Sequence, residues 1–312
     1  MSRSTRDAIR ALARRDRRNE DGGRKLLSSA DRRRTSVRVW LSSIQGITLL
    51  TLLAFGLGPL YWTFKGAVSP TQELLRHPLR LWPSDPQWGN LSHAWTDLRV
   101  GHYLGNTVIL VTGSVIAHLV VATTGGYVLS VLRPKWATPI RWLVLATLFI
   151  PGSISLVALY LTVLDIPLLG ISLVNTPWAV WLPHAASAFM VLIVMKFFDG
   201  IPRELFEAAK VDGAGPFTVF WRIVLPMSRP IVAVITVLTV MNAWKDFLWP
   251  LIAIPDTGEQ PIAAALPRLA ERAEQSVLIA AMLLAIIPPL LLFLIFQRQI
   301  MRGGEGFSGL KG

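Results

Sequence analysis

Few residues of this chain could do chemistry, and their placement limits what that chemistry is. Five histidines, His77, His93, His102, His118 and His184, are scattered, and no two have the spacing that holds a metal on one helix face. His118 and His184 alone fall in or near apolar runs, where polar packing or an interfacial contact accounts for them. There is no cysteine, so disulfides, thiol catalysis and Cys-ligated metals are excluded. A G-x-S-G tetrapeptide places Ser308 as a formal nucleophile, but no histidine follows it as a base. No G-x-x-x-x-G-K-[ST] sequence occurs, so this chain offers a nucleotide no phosphate cradle of that kind.

A second set of polar residues interrupts the apolar run 230–253. Thr239, Asn242, Asp246 and Trp249 follow at i, i+3, i+7 and i+10, which on a continuous helix is one stripe. Lys245 points about a third of a turn away and sits about 22 Å along the helix from residue 230, where its stem reaches water. Polar groups within a membrane need partners or a wet path. Two readings stand for the stripe: hydrogen-bonding groups beside an aromatic face, suited to a passing sugar, or a hydrogen-bonded contact with a neighbouring helix.

The third set is a charged, two-part segment between apolar runs, "EAAKVDGAGPFTVFWRIVLP" at residues 207 to 226. Pro202 suits a first helical turn, and Glu204 lies where a helix N-terminus favours an acid. Asp212 and Gly213 stop that helix, and Pro216 starts another. In the second helix Phe217, Phe220, Trp221 and Val224 fall at i, i+3, i+4 and i+7, one apolar face. Ala208, Ala209 and Gly213 allow close approach of another backbone, and Glu207 offers a charge. The physics leaves two readings open, a knob docked on a protein partner or an amphipathic helix on the membrane surface.

These residues must be held by membrane helices. The chain is 52% hydrophobic and 16% charged, and a span needs about 20 mainly apolar residues. Six runs qualify, at approximately 42–64, 103–132, 140–164, 176–196, 230–253 and 275–296. The expectation is an all-α polytopic membrane protein: a basic disordered cytoplasmic tail (1–41), a six-span domain (42–296) and a cytoplasmic C-terminal tail (297–312). Of the 31 Lys and Arg, 24 fall in the tails and alternate loops on one side against 6 on the other. The positive-inside rule makes that side, with both termini and the segment 197–229, cytoplasmic. The charge of +12 therefore marks topology and not nucleic acid; for the basic tail, a solvated topology signal is the favoured reading and anionic lipid the alternative. Gly113, Ala117, Gly125 and Gly126 in the second run read as sites of close helix packing.

The pattern E-A-A, three residues, G, nine residues, I, one residue, L-P is met by Glu207, Ala208, Ala209, Gly213, Ile223, Leu225 and Pro226. It resembles the coupling loop of permease subunits of binding-protein-dependent ABC importers. "GHYLGNTVIL", "NAWKDFLWPL" and the C-terminal "GFSGLKG" are similar to segments of the maltose-permease-like carbohydrate branch, although Lys245 stands where many relatives carry Asn. The resemblance implies a type I importer fold on the bacterial cytoplasmic membrane, with the loop docked on an ATPase through Glu207, Ala208, Ala209, Asp212, Gly213, Phe217, Phe220, Ile223, Leu225 and Pro226. It implies a homologous second permease, two ATP-hydrolysing subunits and an extracytoplasmic binding protein as partners. ATP and Mg would be held by the ATPase subunits and no cofactor by this chain. Two other readings compete, a six-span rhomboid-like serine protease built on Ser308 and a secondary transporter without an ATPase. The protease lacks its base, and the secondary transporter leaves the charged segment without a purpose.

Overall fold

The computed structural model describes residues 35–306, and among the described residues all regular structure is helical. The basic leader and Ser308 lie outside the described residues. The chain divides into two compact units, residues 1–62 and 63–312. The described part of the first is α1 (Thr35–Ala67) as far as Trp62, an apolar helix whose Leu50 and Phe55 are exposed. A helix apolar on all sides suits a lipid or protein surround.

The second unit follows in order as α2 (Thr71–Arg76), α3 (Gly89–Thr96), α4 (Val100–Leu132, its last turn a π turn), α5 (Ala137–Thr147) and α6 (Gly152–Leu164). It continues with α7 (Trp178–Ala185), α8 (Ala188–Asp199), α9 (Arg203–Val211), α10 (Pro216–Met227), α11 (Arg229–Lys245), α12 (Leu248–Ala253), α13 (Ile262–Ala270) and α14 (Gln275–Gly306). The last helix thus continues ten residues into the segment expected to be a tail from 297.

Three helices are unbroken and apolar enough to cross a bilayer: Val39–Ala67, Val100–Leu132 and Gln275–Gln297. Two bent helix pairs reach the same length and hydropathy only when each is taken together, α7 with α8 at 45° and α10 with α11 at 76°. The run 140–164 is two shorter helices, α5 and α6. Proline accounts for two of the breaks, because its ring clashes with the carbonyl four residues earlier and supplies no N–H. Four before Pro151 is Thr147, the last residue of α5. Four before Pro250 is Asp246, which is extended (φ −69°, ψ 120°) directly after α11.

α4 is the central post, packed on α7, α8 and α11. Its glycines permit this. A Cβ on Gly113 would lie 2.0 Å from the Trp181 ring, and one on Gly126 would lie 2.8 Å from Val194. The close packing read from these residues in the sequence is therefore present. Trp181 also donates its indole N–H to the Leu110 carbonyl at 3.1 Å, so the ring is fixed by a bond as well as by contact.

Candidate functional site

The charged segment folds as an elbow. α9 begins after Pro202, carries Glu204 in its first turn and ends at Val211. Gly213 then takes φ +73°, left-handed backbone that glycine adopts without Cβ strain. The Gly213 N–H bonds the Lys210 carbonyl at 3.0 Å and the Ala214 N–H bonds the Ala209 carbonyl at 2.8 Å. This bond pair is a Schellman stop, so the helix end expected at Asp212–Gly213 has a defined geometry. Pro216 is the first residue of α10.

The apolar face expected on α10 divides in two. Phe220 and Val224 are buried with Val219, whereas Phe217 and Trp221 are 75% and 55% exposed, their rings 6.1 Å apart. The cause is a π turn over Phe220–Val224, whose extra residue rotates Val224 inward beside Phe220. The Tyr127 hydroxyl donates to the Pro216 carbonyl at 2.8 Å and its ring lies 5.1 Å from Phe220, pinning the elbow to α4.

The remaining residues of the motif sort in the same way. Glu207, Ala208, Asp212, Gly213 and Pro226 are exposed, while Ile223 and Leu225 are half-buried. Ala209 corrects an expectation: it is buried in the chain's own core, so its small size serves α9's seat and not a partner's approach. Behind the elbow is a cavity of about 380 Å³, lined in part by Glu207, Lys210 and the ends of α4 and α8. Asp199 stands at its edge, accepting from the Ser130 hydroxyl at 2.7 Å and from Arg133 at 2.8 Å, with Arg141 at 3.7 Å. The sequence reading passed over Asp199; an acid ending an apolar run while Arg133 and Arg141 flank the preceding turn was the available signal.

The intramembrane stripe is also corrected. Thr239 and Asn242 lie on α11, but Asp246 falls in the break after it and Trp249 on α12, so the four do not share one helix face. Thr239 is buried against His118 (Oγ1 to Nδ1 3.2 Å), and Trp249 is buried with its N–H donated to the Ala179 carbonyl at 2.9 Å. Asn242 is exposed. Asp246 instead meets His184 of α7, Oδ2 to Nε2 at 3.3 Å. The other nitrogen of His184 lies 3.0 Å from the Val180 carbonyl and 3.4 Å from the Ser114 hydroxyl. That N–H donates to the carbonyl of its own helix, which leaves it unable to take a proton from Ser114. The Ser114–His184–Asp246 sequence therefore orients the ring and does not make a nucleophile. Sequence reasoning had no means to pair His184 with Asp246, 62 positions apart.

The fold and these two regions define a polytopic helical membrane protein with an elbow that exposes two aromatic rings. A family model described as "Binding-protein-dependent transport system inner membrane component" matches residues 120–303, more than half of the chain, and the chain belongs to that family. It is thus a membrane transport component, one that works with a binding protein and a separate ATPase, and it is not an enzyme. The chain is 30% identical over 255 residues to the sn-glycerol-3-phosphate transport system permease protein UgpE of Pectobacterium atrosepticum, covering 78% of this chain and 89% of that one. It is 29% identical over 248 residues to the diacetylchitobiose uptake system permease protein NgcG of Streptomyces coelicolor, covering 78% and 80%. The fold is shared with a chain of a bacterial ABC transporter involved in the import of the acidic polysaccharide alginate: TM-score 0.74 at 18% identity, over 88% of this chain and 99% of that one.

Proposed function

We propose that this chain is one of two homologous permeases in an ATP-driven importer for a sugar or oligosaccharide, with the elbow as the joint to the ATPase. The observation that carries this reading is the exposure of apolar side chains on the elbow. Phe217, Trp221 and Val211 project from a segment whose own core is already filled by Phe220, Val224 and Ala209. Aromatic anchors of this kind gain most when a partner's groove covers them. Closure of the ATPase pair on ATP and Mg, which its subunits hold and this chain does not, would move the elbow as a rigid body. The 76° bend to α11 would pass that motion to the spans.

The sugar reading is supported by the hydroxyl-rich cargoes that the relatives' names give and by the polar groups at the chain breaks. Asn242 is exposed and Asp246 about three-quarters buried, so both can meet a cargo. Thr239 and Trp249 act behind them, on His118 and on the Ala179 carbonyl. Both termini and the elbow lie on the cytoplasmic side of the bacterial membrane, as the basic residues dictate. Reporter fusions after Gly312 and within residues 80–90 should report opposite sides; the same side for both would refute this orientation.

The direct test of the joint is Gly213→Asp beside Gly213→Asn. Nothing lies within 4 Å of a Cβ built at Gly213, so the chain itself has room, and Asn tolerates left-handed backbone. Gly213→Asn, which adds the same bulk without the charge, should weaken ATPase retention less than Gly213→Asp. Gly213→Asp and Glu207→Lys, inserted normally in the membrane, should lower ATPase affinity by about two decades and stop uptake. Normal uptake with a retained ATPase in Gly213→Asp would refute the joint.

A further inference from the structure

The cavity behind the elbow carries two cations that the joint does not use. Arg203, Phe206, Glu207 and Lys210 of α9 line it at i, i+3, i+4 and i+7, one helix face. On the opposite wall Arg133 and Asp199 also line it, but they satisfy one another, with Ser130 and Arg141 contributing. Among the described residues Arg203, Glu207 and Lys210 have no ion-pair partner. Arg203 and Lys210 face the cavity uncommitted, and with Glu207, which also serves the proposed joint, they leave a surplus of one positive charge. The rest of the lining is apolar apart from Ser130 and the Tyr127 hydroxyl, both bonded within the chain, and its accessible apolar surface includes Leu132 at the end of α4.

We propose that this cavity binds the phosphodiester of a singly anionic membrane phospholipid, its phosphate on Arg203 and Lys210 and its upper acyl chain against Leu132 and Phe206. Basic pockets between helix ends at the cytoplasmic surface suit lipid headgroups. Both an anion and an adjoining apolar stem are provided for, and a free phosphate would leave the apolar wall uncovered. An ATPase subunit is the less fitting occupant, because the exposed rings of Phe217 and Trp221 that would anchor it do not line the cavity. A bound lipid braces α9 against α4 and α8, so that membrane composition sets the stiffness of the joint. The inference rests on the elbow lying at the cytoplasmic surface, a placement tested separately by the reporter fusions and by ATPase co-purification.

The test uses the intact transporter in phosphatidylcholine nanodiscs with and without phosphatidylglycerol. Native mass spectrometry counts the phosphatidylglycerol retained after release into detergent. Each cation removed should lower retention about fivefold, and Arg203→Gln with Lys210→Gln about 25-fold. Arg222→Gln, a cation of the elbow that does not line the cavity, should retain as much as the parent. A second arm uses Ala214→Cys, the sole thiol in a chain without cysteine, at a position that lines the cavity. Phosphatidylglycerol should slow its maleimide labelling, and inorganic phosphate should not. Undiminished retention in the double variant overturns the proposal. So does equal protection by inorganic phosphate, which would mark a free-anion site. Protection that vanishes when the ATPase is stripped, whatever the lipid, would mark a protein-covered surface and overturn it as well.

Discussion

The elbow and the intramembrane breaks invert the usual placement of side chains in opposite directions. At the elbow, Phe217, Trp221 and Val211 are exposed in a segment outside the spans. Within and beside the broken helices, His118, Ser114 and Thr239 are buried among apolar residues, with Asp246 and His184 mostly so. The elbow's own core is complete without those rings, and under the proposed function an ATPase subunit covers them. Most of these groups compensate within the chain, through polar contacts that tie α4, α7 and the end of α11 together, and of the three buried residues only His118 keeps a ring nitrogen, Nε2, without a partner. A docking surface and a polar packing site can therefore be told apart by asking whether the unusual residues already have partners.

If that contrast is right, substitutions in the two regions should separate assembly from stability. The largest effect is expected from Phe217→Asp with Trp221→Asp. ATPase affinity should fall about hundredfold, read by co-purification, because two interface anchors are lost. The permease's own unfolding should shift by no more than about 0.5 kcal/mol, since both rings are exposed. A large loss of stability would show instead that the rings belong to the fold.

Next in size is Gly113→Ala, whose new methyl would meet the Trp181 ring. Overpacking of this kind costs about 1–3 kcal/mol and should lower the thermal midpoint without weakening ATPase retention. Smaller again is the coupling between His184 and Asp246. A double-mutant cycle with His184→Gln and Asp246→Asn should give about 0.6 kcal/mol, the scale of membrane hydrogen bonds, while Asp246→Asn alone should alter uptake. Unchanged uptake in both variants would leave the pair as packing alone.

The smallest effect concerns Glu73, outside the spans and buried. The Ser84 hydroxyl, donating at 2.6 Å, holds its carboxyl below the usual carboxylate range, with the Ser84 N–H and Arg80 adding to this. A depressed pKa means that the charged form stabilises above the ordinary range, and that this is lost as pH falls through the lowered value. Proteolysis within 74–84 should therefore rise in acid for the parent and lose that dependence in Glu73→Gln.

Much of the elbow was legible because its signals are local. Pro216 fixes a helix start and Gly213 a left-handed stop, each through the backbone of a few residues. The division of α10 was not legible. A period of 3.6 places Phe217, Phe220, Trp221 and Val224 together, and the π turn that separates them is set by packing on Tyr127 and α4. The stripe at 239–249 failed for a different reason. Pro250 was in view, but its effect falls four residues back, at Asp246, and cuts the helix on which the spacing argument depended.

The sequence by itself determined that the chain is helical and membrane-embedded and that its elbow begins and ends where it does. Hydropathy, charge asymmetry and turn chemistry act over at most one span, so they can be read along the chain. Only the tertiary structure decided which aromatic rings face outward, that Ala209 serves the core, that Asp199 gathers Ser130 and two arginines, and that His184 meets Asp246. Those outcomes depend on contacts between residues tens of positions apart, and the breaks in the helices set which of them can meet.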